Sequence, residues 1–385
     1  MEKIIEEYQR KFAQFFGAER AFAFWKGRVA LYALLRALDV GSGDEIILPG
    51  YTCVMNVNPI KYVGARPVYV DIEPDTFNLN VNLLKEKISN KTKVIIAQHT
   101  YGYPCEMDAI MEIAQSSGIF VIEDCCLALG SKYKGRMVGT FGRAGYFSFQ
   151  WNKPYTTGLG GMLITSDRQL AERIESLMIN EMCPPSNQEV LMLWMQLIIH
   201  RLLIYPRTTA LAQSLFRYLT KKGAVVGSSS TNEFKPVKAD DFFKGISKMQ
   251  ARSGIRQLGR IEENIAHRQK MAQLYDELLT AKGFKTGKDS RDCAEPVLVR
   301  YPVRIAEKEN ALVQAAKAGI ELGSWFECPL HPIETPLVSY DYELGMCPEA
   351  EKASRKVVNL PLHPRTSEKT VERSVDFITG FTQVV

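Results

Sequence analysis

The chain has no paired-cysteine pattern. Its eight cysteines, Cys53, Cys105, Cys125, Cys126, Cys183, Cys293, Cys328 and Cys347, are scattered and form no CxxC unit. A disulfide framework and a zinc knuckle are poor readings, no metal site is expected, and the compartment is read as reducing cytoplasm. Net charge is also scarce: 48 Lys and Arg against 43 Asp and Glu, or +5. With no basic block or ladder of basic and aromatic residues, nucleic acid is not expected as a partner. The mild excess suits phosphate-bearing small molecules. No internal repeat is visible. At 46% hydrophobic and 24% charged residues, disorder, collagen and coiled coil are poor readings. The opening "MEKIIEEYQRKFAQFFG" reads as an amphipathic helix rather than a signal peptide.

At 385 residues the chain can build a large core, and two lobes are expected. "DEIILPG", "RPVYVDI", "KVIIAQH" and "IFVIEDC" read as strands; "GRVALYALLRALDVG", "CVMNVNPIKYVG", "LNVNLLKEKIS" and "MDAIMEIAQSSG" read as the helices between them. This alternation, with near-continuous apolar strands, predicts an α/β fold with a mostly parallel sheet covered on both faces. The spacing then predicts one long helix over "GISKMQARSGIRQLGRIEENIAHRQKMAQLYDELLTAKG" and a smaller C-terminal α+β lobe. The division is residues 1–253 and 254–385. Residues 183–240 do not fit either lobe. Their apolar run, Val190 to Tyr205, is interrupted by Gln196, His200 and Arg201. A spanning helix needs about 20 apolar residues. The readings open here are a core or dimer-interface helix, a spanning helix, or a helix lying on a membrane through residues 190–222. In the last, Arg217, Lys221 and Lys222 would sit near the headgroups.

In a parallel sheet the chemistry gathers beyond the carboxyl ends of the strands. Four segments lie there: "LPGYTC", "QHTYG", "EDCC" and "QWNK". Lys153, before Pro154 and a loop with Gly158, Gly160 and Gly161, is a candidate Schiff-base nucleophile toward an aldehyde cofactor, pyridoxal phosphate. That cofactor needs a carboxylate at its ring nitrogen and a phosphate cradle. Asp124 ends an apolar strand, where a buried charge is expected to find a cation. Ser148 and the Gly27–Arg28 turn before a helix offer the cradle. Taken singly, each has an ordinary reading: Asp124 as a helix cap, Ser148 as a strand serine, Gly27 as a helix start, the three glycines as a turn, Lys153 as a solvated lysine. Only their joint placement points to one site.

"GRVALYALLRAL", "ILPGYTC", "GARPVYVDIEPDTFNLN", "YGYPCEMDAI", the block from Val121 to Asp167, and "NLPLHPRTSEKTVER" together resemble the DegT/DnrJ/EryC1/StrS family of pyridoxal-phosphate sugar aminotransferases. The resemblance implies the fold-type I aminotransferase architecture, a homodimer with its site at the interface, and an amino acid, glutamate, as donor to a keto-sugar, nucleotide-linked, in cell-surface polysaccharide or secondary-metabolite synthesis. It implies that Lys153 is the Schiff-base lysine and Asp124 the partner of the ring nitrogen, with Ser148, Gly27 and Arg28 at the phosphate. Cys53 falls where many members have an aromatic residue over the ring. Leu127 replaces a Gln or His near the ring hydroxyl, and Leu159 a Glu in the glycine loop. "FFKGISKMQ" lacks the usual asparagine, with Lys244 as the one stand-in. His331, in "PLHP", is a candidate sugar contact. These departures keep two alternatives open: a deoxysugar dehydratase, and a catalytically weak cofactor-binding partner of a membrane-associated complex.

Overall fold

The computed structural model describes residues 2–151, 153–203, 236–284, 286, 291, 293–332 and 336–381. Helix α1 (Lys3–Phe16) buries Tyr8, Phe12 and Phe16, one turn apart, and stops at Gly17 in the left-handed conformation. Then follow β1 (Arg20–Phe24), α2 (Gly27–Ala37), β2 (Glu45–Pro49), β3 (Thr52–Cys53), α3 (Val54–Tyr62), β4 (Arg66–Val70), α4 (Val81–Lys87), β5 (Thr92–Gln98), α5 (Met107–Ser116) and β6 (Phe120–Asp124). A small β7 (Lys132–Tyr133) and β8 (Arg136–Met137) precede β9 (Ala144–Ser148) and β10 (Gly161–Thr165).

The main sheet has seven strands in the order β1-β10-β9-β6-β5-β2-β4. The five from β9 to β4 run parallel; β10 runs against them, pairing antiparallel with both β9 and the edge strand β1. The apolar strand sequences follow from burial on both faces: every residue of β2 and β10 is buried. Helix α2 is buried nearly all round, which is why its apolar residues leave no polar stripe.

Helices α6 (Arg168–Glu181) and α7 (Asn187–Leu203) follow the sheet. Cys183 then bridges to Lys244, so that the two ends of the atypical segment meet. The single long helix expected after it is two. Helix α8 (Lys248–Leu258) opens with a capping box of Ser247 and Gln250, and α9 (Ile261–Ala281) restarts after Gly259 and Arg260. Glu262 and Glu263 in the first turn of α9 favour a new helix N-terminus there, and the 3.6-residue apolar period carried no sign of the break. The rest comprises β11 (Ala294–Glu295), β12 (Tyr301–Arg304), α10 (Lys308–Ala318), β13 (Leu330–His331), α11 (Pro348–Lys356), β14 (Val357–Leu360) and α12 (Glu368–Ile378). Strands β12 and β14 pair apart from the main sheet. Strand β13 returns to pair with β3, bringing His331 opposite Cys53.

Among the described residues, no helix is long and apolar enough to cross a membrane. Arg217, Lys221 and Lys222 lie outside the described residues.

Candidate active site

Strand β6 carries Asp124 to its carboxyl end, where the side chain is buried. Its Oδ1 accepts from the backbone N–H of Cys126 at 2.9 Å, and Oδ2 accepts from Asn56 Nδ2 at 2.5 Å. Asn56 sits on α3, and its Oδ1 accepts from the Tyr146 hydroxyl at 3.1 Å. Its Nδ2 also lies 3.1 Å from Thr52 Oγ1 and 3.2 Å from Gln98 Oε1. Amide and backbone donors therefore hold the carboxylate. Among the described residues no lysine or arginine pairs with it, contrary to the expectation that burial demands one; hydrogen bonds offset much of the desolvation. Asn56 and Tyr146 were missed by the sequence reading. The available signal was an asparagine in the first turn of a helix that begins at the strand end.

Strand β9 ends at Ser148, so Lys153 projects from the following loop and not from the strand itself. The backbone N–H of Lys153 donates to the Gln150 carbonyl at 3.0 Å. Its Nζ lies 5.1 Å from the centroid of the Trp325 ring, with Arg300 5.3 Å from the same ring. Among the described residues no carboxylate pairs with this half-buried amine. Trp325 belongs to the C-terminal part of the chain; its carbonyl accepts from the Tyr101 hydroxyl at 2.5 Å, which ties that loop to the sheet.

The cradle is compact. A Cβ on Gly27 would sit 2.9 Å from Ser148 Cβ, and one on Gly161 would sit 2.4 Å from the Lys26 carbonyl oxygen. Only glycine permits this approach of α2 to β9 and β10. Lys26 provides no side-chain cap for α2, whose first turn carries no acidic residue, and Arg28 is buried within it. A helix start so arranged favours an anion.

Cys53 is half-buried beside His331. Burial pushes its thiol up, against the Met55 N–H and the charges of Lys153 and Arg28, so it is a neutral group. His331 Nδ1 lies 3.8 Å from Glu327 Oε2, and its ring is 5.6 Å from Phe326. Leu127, in the turn after β6, is buried in the main apolar core.

Leu159 is fully buried with Trp25 and with Leu193 of α7. A Cβ on Gly158 would meet Leu193 Cδ1 at 2.9 Å, so α7 lies directly on the glycine loop. The leucine in place of a glutamate thus accompanies the added helix. Lys244, which stands where the asparagine is missing, is engaged within its own chain: its buried Nζ is held at 2.7 Å by both Glu189 and Asp241.

The set fits pyridoxal phosphate. A buried carboxylate without a cationic partner among the described residues suits a protonated ring nitrogen, an amine without a carboxylate suits an aldehyde, and a helix start that excludes a Cβ suits a phosphate. Lys153, Asp124, Ser148, Gly27 and Arg28 are the residues that would hold it.

Comparison with known proteins gives a consistent result. The model of the DegT/DnrJ/EryC1/StrS aminotransferase family matches residues 2–191 and 242–379. GDP-perosamine synthase of Escherichia coli O157:H7 is 47% identical over 169 residues, which are 44% of this chain and 46% of that one. GDP-perosamine synthase of Caulobacter vibrioides is 30% identical over 381 residues, covering 97% of this chain and 88% of that one. Among solved structures, the aminotransferase TlmJ from Streptoalloteichus hindustanus superimposes with a TM-score of 0.76 at 26% identity, over 98% of this chain and 90% of its own.

Proposed function

Because the chain belongs to the DegT/DnrJ/EryC1/StrS aminotransferase family and is a pyridoxal-phosphate-dependent aminotransferase, we propose that it moves an amino group from glutamate to a nucleotide-linked keto-sugar. The relatives named for GDP-perosamine support the acceptor class. The observation that carries the reading is the convergence of Lys153, Asp124, Ser148 and the Gly27–Arg28 turn at the carboxyl end of the parallel strands. A product of this kind serves polysaccharide or secondary-metabolite synthesis.

Bound pyridoxal phosphate supplies an aldehyde that takes the donor's nitrogen and a ring that spreads the electron pair left on proton removal. Lys153 Nζ takes the proton from the donor's Cα and holds it until it is returned, acting as general base and then acid. Asp124, fixed by Asn56 and the Cys126 N–H, would hold the proton of the ring nitrogen. Ser148, Gly27 and Arg28 would fix the phosphate, so the reacting atoms stay aligned with Lys153. Trp325 screens the Lys153 amine from water on one side. His331, next to Cys53, is the residue expected to touch the sugar. Family membership supports a homodimer, which light scattering would test.

The test is incubation of holoenzyme with glutamate and a panel of nucleotide-linked keto-sugars, with the amino product read by mass. Lys153→Ala should lose both the visible band of the lysine-bound cofactor and turnover. Full turnover by that variant, or a dehydrated product formed without glutamate, would overturn the reading.

A further inference from the structure

Helix α7 is apolar on two opposite sides. Its inner side, Leu193 and Leu197, is buried against the glycine loop. Its outer side carries Leu191, Trp194, Met195 and Ile198, spaced i, i+3, i+4 and i+7, and these are 36–55% exposed. That is one continuous stripe along the helix. Glu189, the acidic residue of the first turn, is taken up by Lys244.

The sequence around the stripe says what covers it. From Val190 to Asn232 there is no Asp or Glu, while Arg201, Arg207, Arg217, Lys221 and Lys222 contribute five positive charges. The net charge of the whole chain is also +5. The entire cationic excess is thus carried by the stretch that begins with this apolar helix. The family model passes over it, matching up to residue 191 and again from 242.

From this we propose that the outer face of α7 docks the protein on a bilayer interface with anionic headgroups. A helix of this kind lies in the interface plane, apolar side down, with Trp194 at headgroup depth. The other obvious occupant is a second copy of the chain. A two-fold contact is self-complementary, so the cationic, acid-free sequence that continues from α7 would find no opposite charge in its own copy. Anionic lipid removes that conflict. Among the described residues α7 is the layer that lies on the glycine loop, which would then sit about 10 Å, one helix diameter, from the headgroups. The proposal stands whether or not the acceptor is a keto-sugar.

The experiment is vesicle flotation of the pyridoxal-phosphate-loaded enzyme. One vesicle type is phosphatidylcholine alone and the other contains phosphatidylglycerol as well. Wild type should float with the anionic vesicles and stay below with the neutral ones. Flotation should weaken as salt rises from about 0.1 M to about 1 M, where the screening length falls from ~10 Å to ~3 Å. The variant carrying Leu191→Gln, Trp194→Gln, Met195→Gln and Ile198→Gln should partition roughly tenfold less or weaker still. Its cofactor band and melting temperature should match wild type, since the four side chains leave no core cavity. Trp194 emission should shift to the blue on anionic vesicles, a shift that Trp194→Phe removes. Failure of wild type to float with anionic vesicles would overturn the proposal, as would equal flotation of the variant. Loss of the wild-type oligomer mass in the variant, with no vesicle binding by either protein, would assign the face to a second copy instead.

Discussion

Gly161→Ala probes the cradle from behind. Gly161 opens β10 and is paired on one side with Phe24 of β1 and on the other with Ser148 of β9. A Cβ there would lie 2.4 Å from the Lys26 carbonyl oxygen, 2.5 Å from its carbon and 2.6 Å from the Gly27 nitrogen. All three are backbone atoms, so no side-chain rotation relieves the contact. Ordinary van der Waals contact starts at 3.4 Å, so the turn opening α2 must retreat by about 1 Å. The strand cannot yield in its place, because neighbours on both sides fix it. Overpacking of this kind costs about 1–3 kcal/mol of stability. The retreat also moves Gly27 away from Ser148; losing one hydrogen bond to a charged phosphate would cost about 1.5–3 kcal/mol of cofactor affinity, roughly 10- to 100-fold. The assay is titration of apoprotein with pyridoxal phosphate, read by the visible band, alongside a thermal melt. Gly41→Ala is the control, since its Cβ would meet nothing nearer than 3.9 Å. Should Gly161→Ala lower the melting temperature yet bind the cofactor as wild type does, the Gly27–Ser148 cradle does not hold the phosphate.

Asp124→Asn keeps the shape and a partner for Asn56 but removes the charge; we expect the cofactor to stay bound and single-turnover transfer from glutamate to fall by about 10²-fold or more. Wild-type rates in that variant would remove Asp124 from the chemistry. His331→Ala should raise KM for the acceptor roughly tenfold, the loss of about one good hydrogen bond, with the cofactor band unchanged; a change confined to kcat would contradict a binding role. The ion triad at the base of α7 sets a pH window. Hydrogen bonding from Lys244 pulls Asp241 below its ordinary range, and in Glu189 the bonds from Lys244 and Ser186 outweigh the upward push of burial. Lys244 is raised, its two carboxylate partners outweighing burial. Stability from the carboxylates is complete above their unfolded pKa values and is lost as pH falls through the lowered folded ones. Stability from Lys244 is complete below its unfolded pKa and is lost as pH rises through the raised folded one. Amide-exchange protection at the start of α7, corrected for intrinsic rates, should therefore be flat from about pH 5 to about pH 9 and fall below about pH 4. A midpoint near neutrality would show that another group controls the contact.

Leu159 illustrates how a departure in sequence becomes intelligible in structure. Beside a family pattern it is only a glutamate replaced by leucine. In the folded chain it is buried against Leu193, a residue of the added helix. A carboxylate at that place would face α7 without water, so the leucine and the helix belong together. Lys244 makes the converse point. Its position in the sequence invited a role in the site, yet two carboxylates, one of them Glu189 on α7, hold it in place. The break between α8 and α9 was invisible for a different reason: both helices keep an apolar face with the same period, and the interruption costs only Gly259 and Arg260.

The sequence by itself determined the parallel sheet, since continuous apolar runs alternating with amphipathic ones have few other ways to bury themselves. It also offered Lys153, Asp124, Ser148 and Gly27–Arg28 as a candidate set, because strand ends and helix starts are local features. Only the tertiary structure decided which groups surround them. Asn56 reaches Asp124 across 68 residues, Trp325 comes to Lys153 from the far end of the chain, and His331 meets Cys53 through a two-residue strand pair. Contacts of that kind depend on packing between elements distant in sequence, and no local period or motif encodes them.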